Sequence, residues 1–168
     1  MKTRRMTLCA LFAALTAVCA QVVIPLGAVP VNLALLPLLL CAALLPVRYA
    51  VAAALVYIGM GAAGLPVFAG MAGGPGVLLG PTGGYLAGYV LCVWLAAWMI
   101  HRGVHRCLAM GAGTAACYGL GAAWMMLSAD ISLSQALLTG VAPFLPGDML
   151  KILVATYLAK RLYIVVRT

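Results

Sequence analysis

Residues 64–85 read GLPVFAGMAGGPGVLLGPTGGY. The stretch holds eight glycines, three prolines (Pro66, Pro75, Pro81) and no charge. So much glycine and proline does not continue a helix; it makes loops in which backbone comes close to backbone or to a ligand. Loops facing water are polar, yet Leu65, Val67, Phe68, Met71, Val77, Leu78 and Leu79 run through this one. An apolar loop that avoids helix must be buried against protein or line a cavity. It reads as the lid and wall of a binding site for a small organic molecule.

Long apolar runs flank it on both sides. Of the 168 residues, 67% are hydrophobic and 7% charged, whereas a soluble domain carries about 25% charged residues. Too little polar surface is left to cover a globule in water. The class is therefore an all-α integral membrane protein, and no polar linker divides it, so residues 1–168 form a single transmembrane domain. Six membrane-spanning helices are expected at about 7–24, 32–45, 48–63, 82–100, 107–128 and 148–166, with residues 64–81 as a substrate lid loop. Pro25 and Gly27 end the first helix, and Pro30 keeps the connection irregular. Pro37 interrupts the second helix, and Pro143, Pro146 and Gly147 break the chain before the last. A short amphipathic piece is expected over 133–141.

The net charge of +8 would point to nucleic acid in a soluble protein. Here the basic residues sit at the ends of apolar runs, and no nucleic-acid motif accompanies them. With six helices, Lys2, Arg4, Arg5, Arg48, Arg102, Arg106, Lys160, Arg161 and Arg167 fall on one side, nine of the ten basic residues. The opposite loops, 25–31, 65–81 and 129–147, hold no lysine or arginine. The positive-inside rule then places both termini in the cytoplasm and the glycine-rich loop at the outer face. The start, MKTRR before an apolar run, resembles a signal peptide. The spanning length of residues 6–24 and the charge pattern favour its retention. The six cysteines lie mostly within apolar segments without a CxxC pair, and read as small buried hydrophobes.

The tenth basic residue, Lys151, and the only two acids, Asp130 and Asp148, lie on the outer side. Asp148 and Lys151 are three apart, on one helix face. Asp148 reads either as a cap at the start of the last helix or as a site residue. Lys151 reads either as a lysine that snorkels to the interface or is neutralised by Asp148, or as a cation awaiting a carboxylate ligand. Ala155 and Ala159 lie below Lys151 on its stripe and would let the helix pack closely. Gln21, Asn32 and Thr82 could bond a polar ligand group or cap a helix. Phe68, Tyr85, Tyr89 and Trp94 could wall the site or anchor at the membrane interface. In the first helix, Ala10 with Ala14 and Ala13 with Ala17 are small residues four apart, which make flat faces for close packing. There is no phosphate-cradling P-loop, no zinc-binding H-E-x-x-H and no G-x-S-x-G nucleophile elbow. His101 and His105 belong to a basic turn. If the chain moves a solute uphill, a partner or a gradient supplies the energy.

GLPVFAG at 64–70, GG at 73–74 and GPTGGYLAGY at 80–89 closely resemble the signature of the BioY family, the biotin-specific substrate-capture (S) components of energy-coupling factor (ECF) transporters. PFLPGDMLK at 143–151 resembles the start of that family's last helix. The resemblance spans about residues 29–160. It implies six transmembrane helices in a prokaryotic cell membrane, biotin captured at the outer face as a transported ligand with no cofactor, and a lid made by loops between helices. It also implies coupling to a transmembrane scaffold subunit and two ATPase subunits, so the chain itself is not an enzyme. The resemblance further implies an AxxxA-type face on the first helix that docks on the scaffold, which here would map to Ala10 and Ala14, and to Ala13 and Ala17. Asp148 and Lys151 are implied to lie at the ligand. The family's usual VPVTLQTL is replaced by VPVNLALL at 29–36, with Asn32 for the threonine and Ala34 for the glutamine.

The binding reading that follows puts biotin's bicycle against the glycine-rich loop, walled by Phe68, Tyr85 and Leu79. Backbone groups of Gly80 to Gly83, with Asn32 or Thr82, would bond the ureido group. Lys151 would meet the carboxylate, with Asp148 holding the lysine or bonding the ligand. The alternatives are an S component for another small carboxylate vitamin, favoured by the Asn32 and Ala34 departure, and a small membrane enzyme using Asp148 and Lys151 as an acid–base pair.

Overall fold

A computed structural model describes residues 2–24 and 31–167. The elements, in order, are α1 (Lys2–Cys19), β1 (Val23–Ile24), β2 (Val31–Asn32), α2 (Leu35–Leu44), α3 (Val47–Ala62), α4 (Pro75–Leu79), α5 (Gly83–His101), α6 (Arg106–Ala129), α7 (Leu133–Gly140) and α8 (Leu145–Arg167). The helix α2 is apolar all round, and such a helix must be wrapped by others. Accordingly Leu35 and the run Pro37–Ala43 are buried, and α1, α3, α5 and α8 pack around them. Lys151, Ala155 and Ala159 form a buried stripe along α8, which packs on α2.

Pro37 does not interrupt α2. It falls in the helix's first turn, where its missing N–H would have had no intrahelical partner. The first helix also differs from expectation. It begins at Lys2 and ends at Cys19. Val23 and Ile24, β-branched residues suited to extended backbone, leave the helix and pair antiparallel with Asn32 and Val31. The breaks expected at Pro25, Gly27 and Pro30 lie outside the described residues, as do Val29 of the family motif and the side chain of Arg167. Asn32 precedes α2 rather than starting it. Its side-chain Oδ1 accepts the Ala34 N–H at 2.9 Å, a local turn that asparagine favours.

The longest interface joins α5 to α6, and glycine makes it possible. A Cβ on Gly84 would sit 2.2 Å from the Cβ of Trp124, and one on Gly113 would sit 2.6 Å from the carbonyl oxygen of Cys92. Backbones that close need small residues at the crossing.

The glycine-rich stretch is not loop throughout. It holds a 3-10 turn at Ala69–Met71 and the short helix α4, which Pro75 opens as its first residue after Gly74 at φ 95°. The last helix starts three residues before the expected Asp148, with Pro146 in its first turn. The amphipathic piece appears as α7, opened by a reciprocal capping box between Ser132 and Gln135.

Among the described residues, α5 alone is long and apolar enough to cross a membrane by itself; α7 with residues 145–162 of α8 meets the same measure together, bent by 53°. Large apolar side chains line the outside of the bundle, among them Leu11, Leu55, Trp94, Leu108, Leu127, Met149 and Leu153. On α1 the two alanine pairs part company: Ala13 is buried and Ala17 half-buried, while Ala10 and Ala14 are exposed.

Candidate functional site

A cavity of about 220 Å³ lies among the beginnings of α2, α5 and α8, the middle of α6, and the loop after α3. Polar groups gather on one wall: Asn32, Tyr118, Asp148 and Lys151. The others are apolar or aromatic, with Leu35, Tyr57, Phe68, Val77, Leu86 and Phe144 prominent.

Helical spacing brings Asp148 and Lys151 together. Asp148 is not a cap, because its own N–H already bonds the Phe144 carbonyl at 2.8 Å inside the helix. Its side chain turns sideways instead. Lys151 Nζ lies 2.6 Å from Asp148 Oδ1, and the two side chains are 7% and 6% exposed. Tyr118, reaching in from α6, donates its hydroxyl to Asp148 Oδ2 at 2.6 Å. Lys151 also donates to the backbone carbonyl of Asn32. Lysine does not snorkel to the interface here: its ammonium is committed to a buried network. Burial of such a pair is tolerated only when hydrogen bonds satisfy it, and these contacts do so.

The network has a definite chemical character. Lys151 and Asp148 cancel in charge. Two of the three ammonium N–H groups are used, leaving one for the cavity. Each Asp148 oxygen accepts one bond, leaving acceptor capacity. The wall therefore offers a donor beside acceptors at zero net charge. The cation expected to await a carboxylate is already paired, because Asp148 is one helical turn away and equally buried.

The remaining expected residues divide. Asn32, Phe68, Thr82 and Tyr85 line the cavity with Asp148 and Lys151. Tyr85 presents its ring, stacked on Phe144 at 6.2 Å between centroids, while its hydroxyl is spent on the Gly140 carbonyl at 2.9 Å. Phe68 packs edge-on against Tyr57 at 5.6 Å, in a slot that exists because residue 61 is glycine. Gly80 and Gly83 are not on the cavity wall. The Gly80 carbonyl accepts the Trp124 indole N–H at 2.9 Å. A Cβ on Gly83 would strike the Leu78 carbonyl, so this glycine lets α4 fold back on α5. Leu79 points outward and is exposed, and Val77 takes its place at the wall. Trp94 also faces outward, stacked on Trp98. Gln21 is absent from the cavity lining and bonds the Phe68–Met71 turn.

Sequence reading missed Tyr57 and Tyr118. Tyr118 stands alone as a large polar residue in the small-residue run GTAACYGLG of α6, and that contrast was its available signal. Among the described residues, no three His, Cys, Asp or Glu side chains gather to hold a metal ion.

The profile of the BioY family matches residues 1–168. A protein of Pyrococcus horikoshii named "Probable biotin transporter BioY" is 36% identical over 162 residues, covering 96% of this chain and 98% of the relative. The "Biotin transporter BioY" of Thermotoga maritima is 36% identical over 169 residues, covering 95% of each. A crystal structure described as the S-component for biotin from an ECF-type ABC transporter shares the fold at a TM-score of 0.87 and 22% identity, covering 96% of this chain and 91% of that one.

Proposed function

From the premise that this chain belongs to the BioY family, we propose that it is a transport subunit that binds biotin in the cavity between α2, α5, α6 and α8. Its role is capture and transport, not catalysis. The observation that carries the site assignment is the buried, charge-neutral Asp148–Lys151 pair held by Tyr118. A ureido group is neutral and has one carbonyl acceptor flanked by two N–H donors. That pattern complements the free Lys151 donor and the Asp148 acceptors. A carboxylate at the same place would face the Asp148 carboxylate with no net positive charge to attract it. Biotin's ureido head therefore lies at the pair, with Asn32 Nδ2 a further donor to the ureido carbonyl. The bicycle lies against Phe68 and Tyr85, with Thr82 beside it. The carboxylate tail points to the mouth near Ala69 and Ala72, toward water.

The finer architecture is also part of this reading. Six spans with both termini cytoplasmic put nine of the ten basic residues on one side. The belt of exposed leucine, methionine and tryptophan suits a bilayer, so the chain is a multi-pass protein of the cell membrane. Biotin enters from the outer face and leaves inward with ECF partners, a scaffold subunit and two ATPases. Ala10 and Ala14, exposed on α1, supply the docking face; Ala13 and Ala17 support it from beneath, turned toward the bundle.

Ligand analogues test the orientation. Biotin carboxamide should bind purified protein about as well as biotin, and a biotin alkylated on a ureido nitrogen should not compete. Loss of affinity for the carboxamide with retention of the alkylated analogue would reverse the assignment.

A further inference from the structure

Gln21 follows the end of α1, and its amide is used on three sides. Its Nε2 donates to the Ala17 carbonyl at 3.1 Å and to the Phe68 carbonyl at 3.2 Å. Its Oε1 accepts the Met71 N–H at 2.9 Å. The partners fix the orientation of the amide: a flipped group would set an oxygen against two carbonyls and an NH2 against an N–H. Residues 68–71 form a tight turn, closed on itself by the Phe68 N–H to the Ala72 carbonyl at 3.0 Å. Gly70 and Met71 follow each other at φ 70° and φ 60°, so Met71 is a side-chain-bearing residue in the left-handed region that favours glycine. That backbone turns its N–H toward Gln21. Among the described residues, no other hydrogen bond joins this turn to a different element.

The same turn forms part of the cavity wall through Phe68, Ala69 and Ala72. The Phe68 ring is buried on Tyr57 and over Gly61, whereas Met71 at the turn's tip is 68% exposed. The turn is thus held inside by an aromatic plug and outside by one glutamine from 47 and 50 positions earlier in the chain. We propose that Gln21 is a positioning residue that latches the 68–71 turn over the cavity and thereby sets how long a bound ligand stays. Gln21 does not touch the cavity; it acts through the backbone of the turn. The ligand part rests on the biotin reading given above, and the latch part does not.

Two variants and two readouts separate them. Gln21→Ala removes the latch. Gln21→Glu keeps its size and the acceptor for Met71 but sets an oxygen against the Phe68 and Ala17 carbonyls. Amide hydrogen exchange of residues 65–72 is measured first in ligand-free, detergent-purified protein, with thermal unfolding as the control for fold. Two hydrogen bonds of ordinary net strength give roughly 5- to 150-fold faster exchange in Gln21→Ala, confined to this turn. Radiolabelled biotin dissociation, chased with unlabelled biotin, should quicken by about the same factor, with the association rate little changed. A residue that merely caps α1 would lower thermal stability and leave both local readouts alone. Unchanged exchange at 65–72 in both variants overturns the latch, whatever the ligand. Faster exchange with an unchanged biotin release rate overturns its control of residence time. Failure of the wild-type protein to bind biotin overturns the ligand reading, while the exchange experiment still decides the latch.

Discussion

Truncating Lys151 to alanine should weaken biotin binding by roughly 30-fold or more, on the following grounds. The ammonium lies 2.6 Å from Asp148, and both side chains are more than nine-tenths buried. Removing it leaves the Asp148 carboxylate with only the Tyr118 hydroxyl as a partner and the Asn32 carbonyl without its donor. Taking one partner from a buried, hydrogen-bonded charge pair costs about 2–5 kcal/mol. In the empty cavity, water relieves part of that cost by solvating the carboxylate. Bound biotin displaces the water, so at least the lower figure falls on binding. At 1.4 kcal/mol per decade, about 2 kcal/mol is roughly 30-fold. Calorimetric titration of detergent-purified protein measures it, with thermal unfolding to show that the variant is folded. Lys151→Met keeps most of the stem length and should lose affinity to a similar degree, which separates charge from packing. Wild-type affinity in both folded variants would refute the placement of the ligand at this pair.

The other predictions are read in the same assays. Tyr118→Phe removes the hydroxyl from Asp148 without changing shape, and a hydrogen bond to a charged group is worth about 1.5–3 kcal/mol; biotin affinity should fall about tenfold or more, and an unchanged titration would take Tyr118 out of the site. Gly61→Ala sets a Cβ 2.0 Å from the Phe68 ring, so Phe68 must leave its slot; biotin binding should be lost while the protein still unfolds cooperatively on heating, and normal affinity would mean that the plug is dispensable. Ala10→Trp puts a large side chain on the exposed face of α1; biotin binding should persist while uptake by cells expressing the complete transporter stops, and undiminished uptake would move the docking face elsewhere.

Much of this was legible in the sequence because it follows from local rules. The observed α5 and α6 lie within a residue or so of the expected 82–100 and 107–128, since two long apolar runs meeting at the one basic turn over 101–106 leave little choice. Asp148 and Lys151 could be paired from their spacing alone. The illegible parts depend on how helices cross. Tyr118 sits mid-helix, and its approach to Asp148 depends on how α6 packs on α8, which no spacing within either helix states. Gly80 and Gly83 belong to a motif that reads as ligand-cradling, yet their neighbours are Trp124 and Leu78. Glycine signals close approach without saying of what. Gln21 read as a polar group near a helix end; its bonds to residues 68 and 71 depend on tertiary placement alone. The charge of Lys151 left both an anionic ligand and neutralisation by Asp148 open, and only the folded chain brings the two buried side chains within 2.6 Å.

The most direct test of the account is a calorimetric titration of the purified chain with biotin, with no partner subunit present. The account predicts saturable binding of one biotin per chain, since a single cavity carries the argument. Absence of binding by folded protein would contradict it.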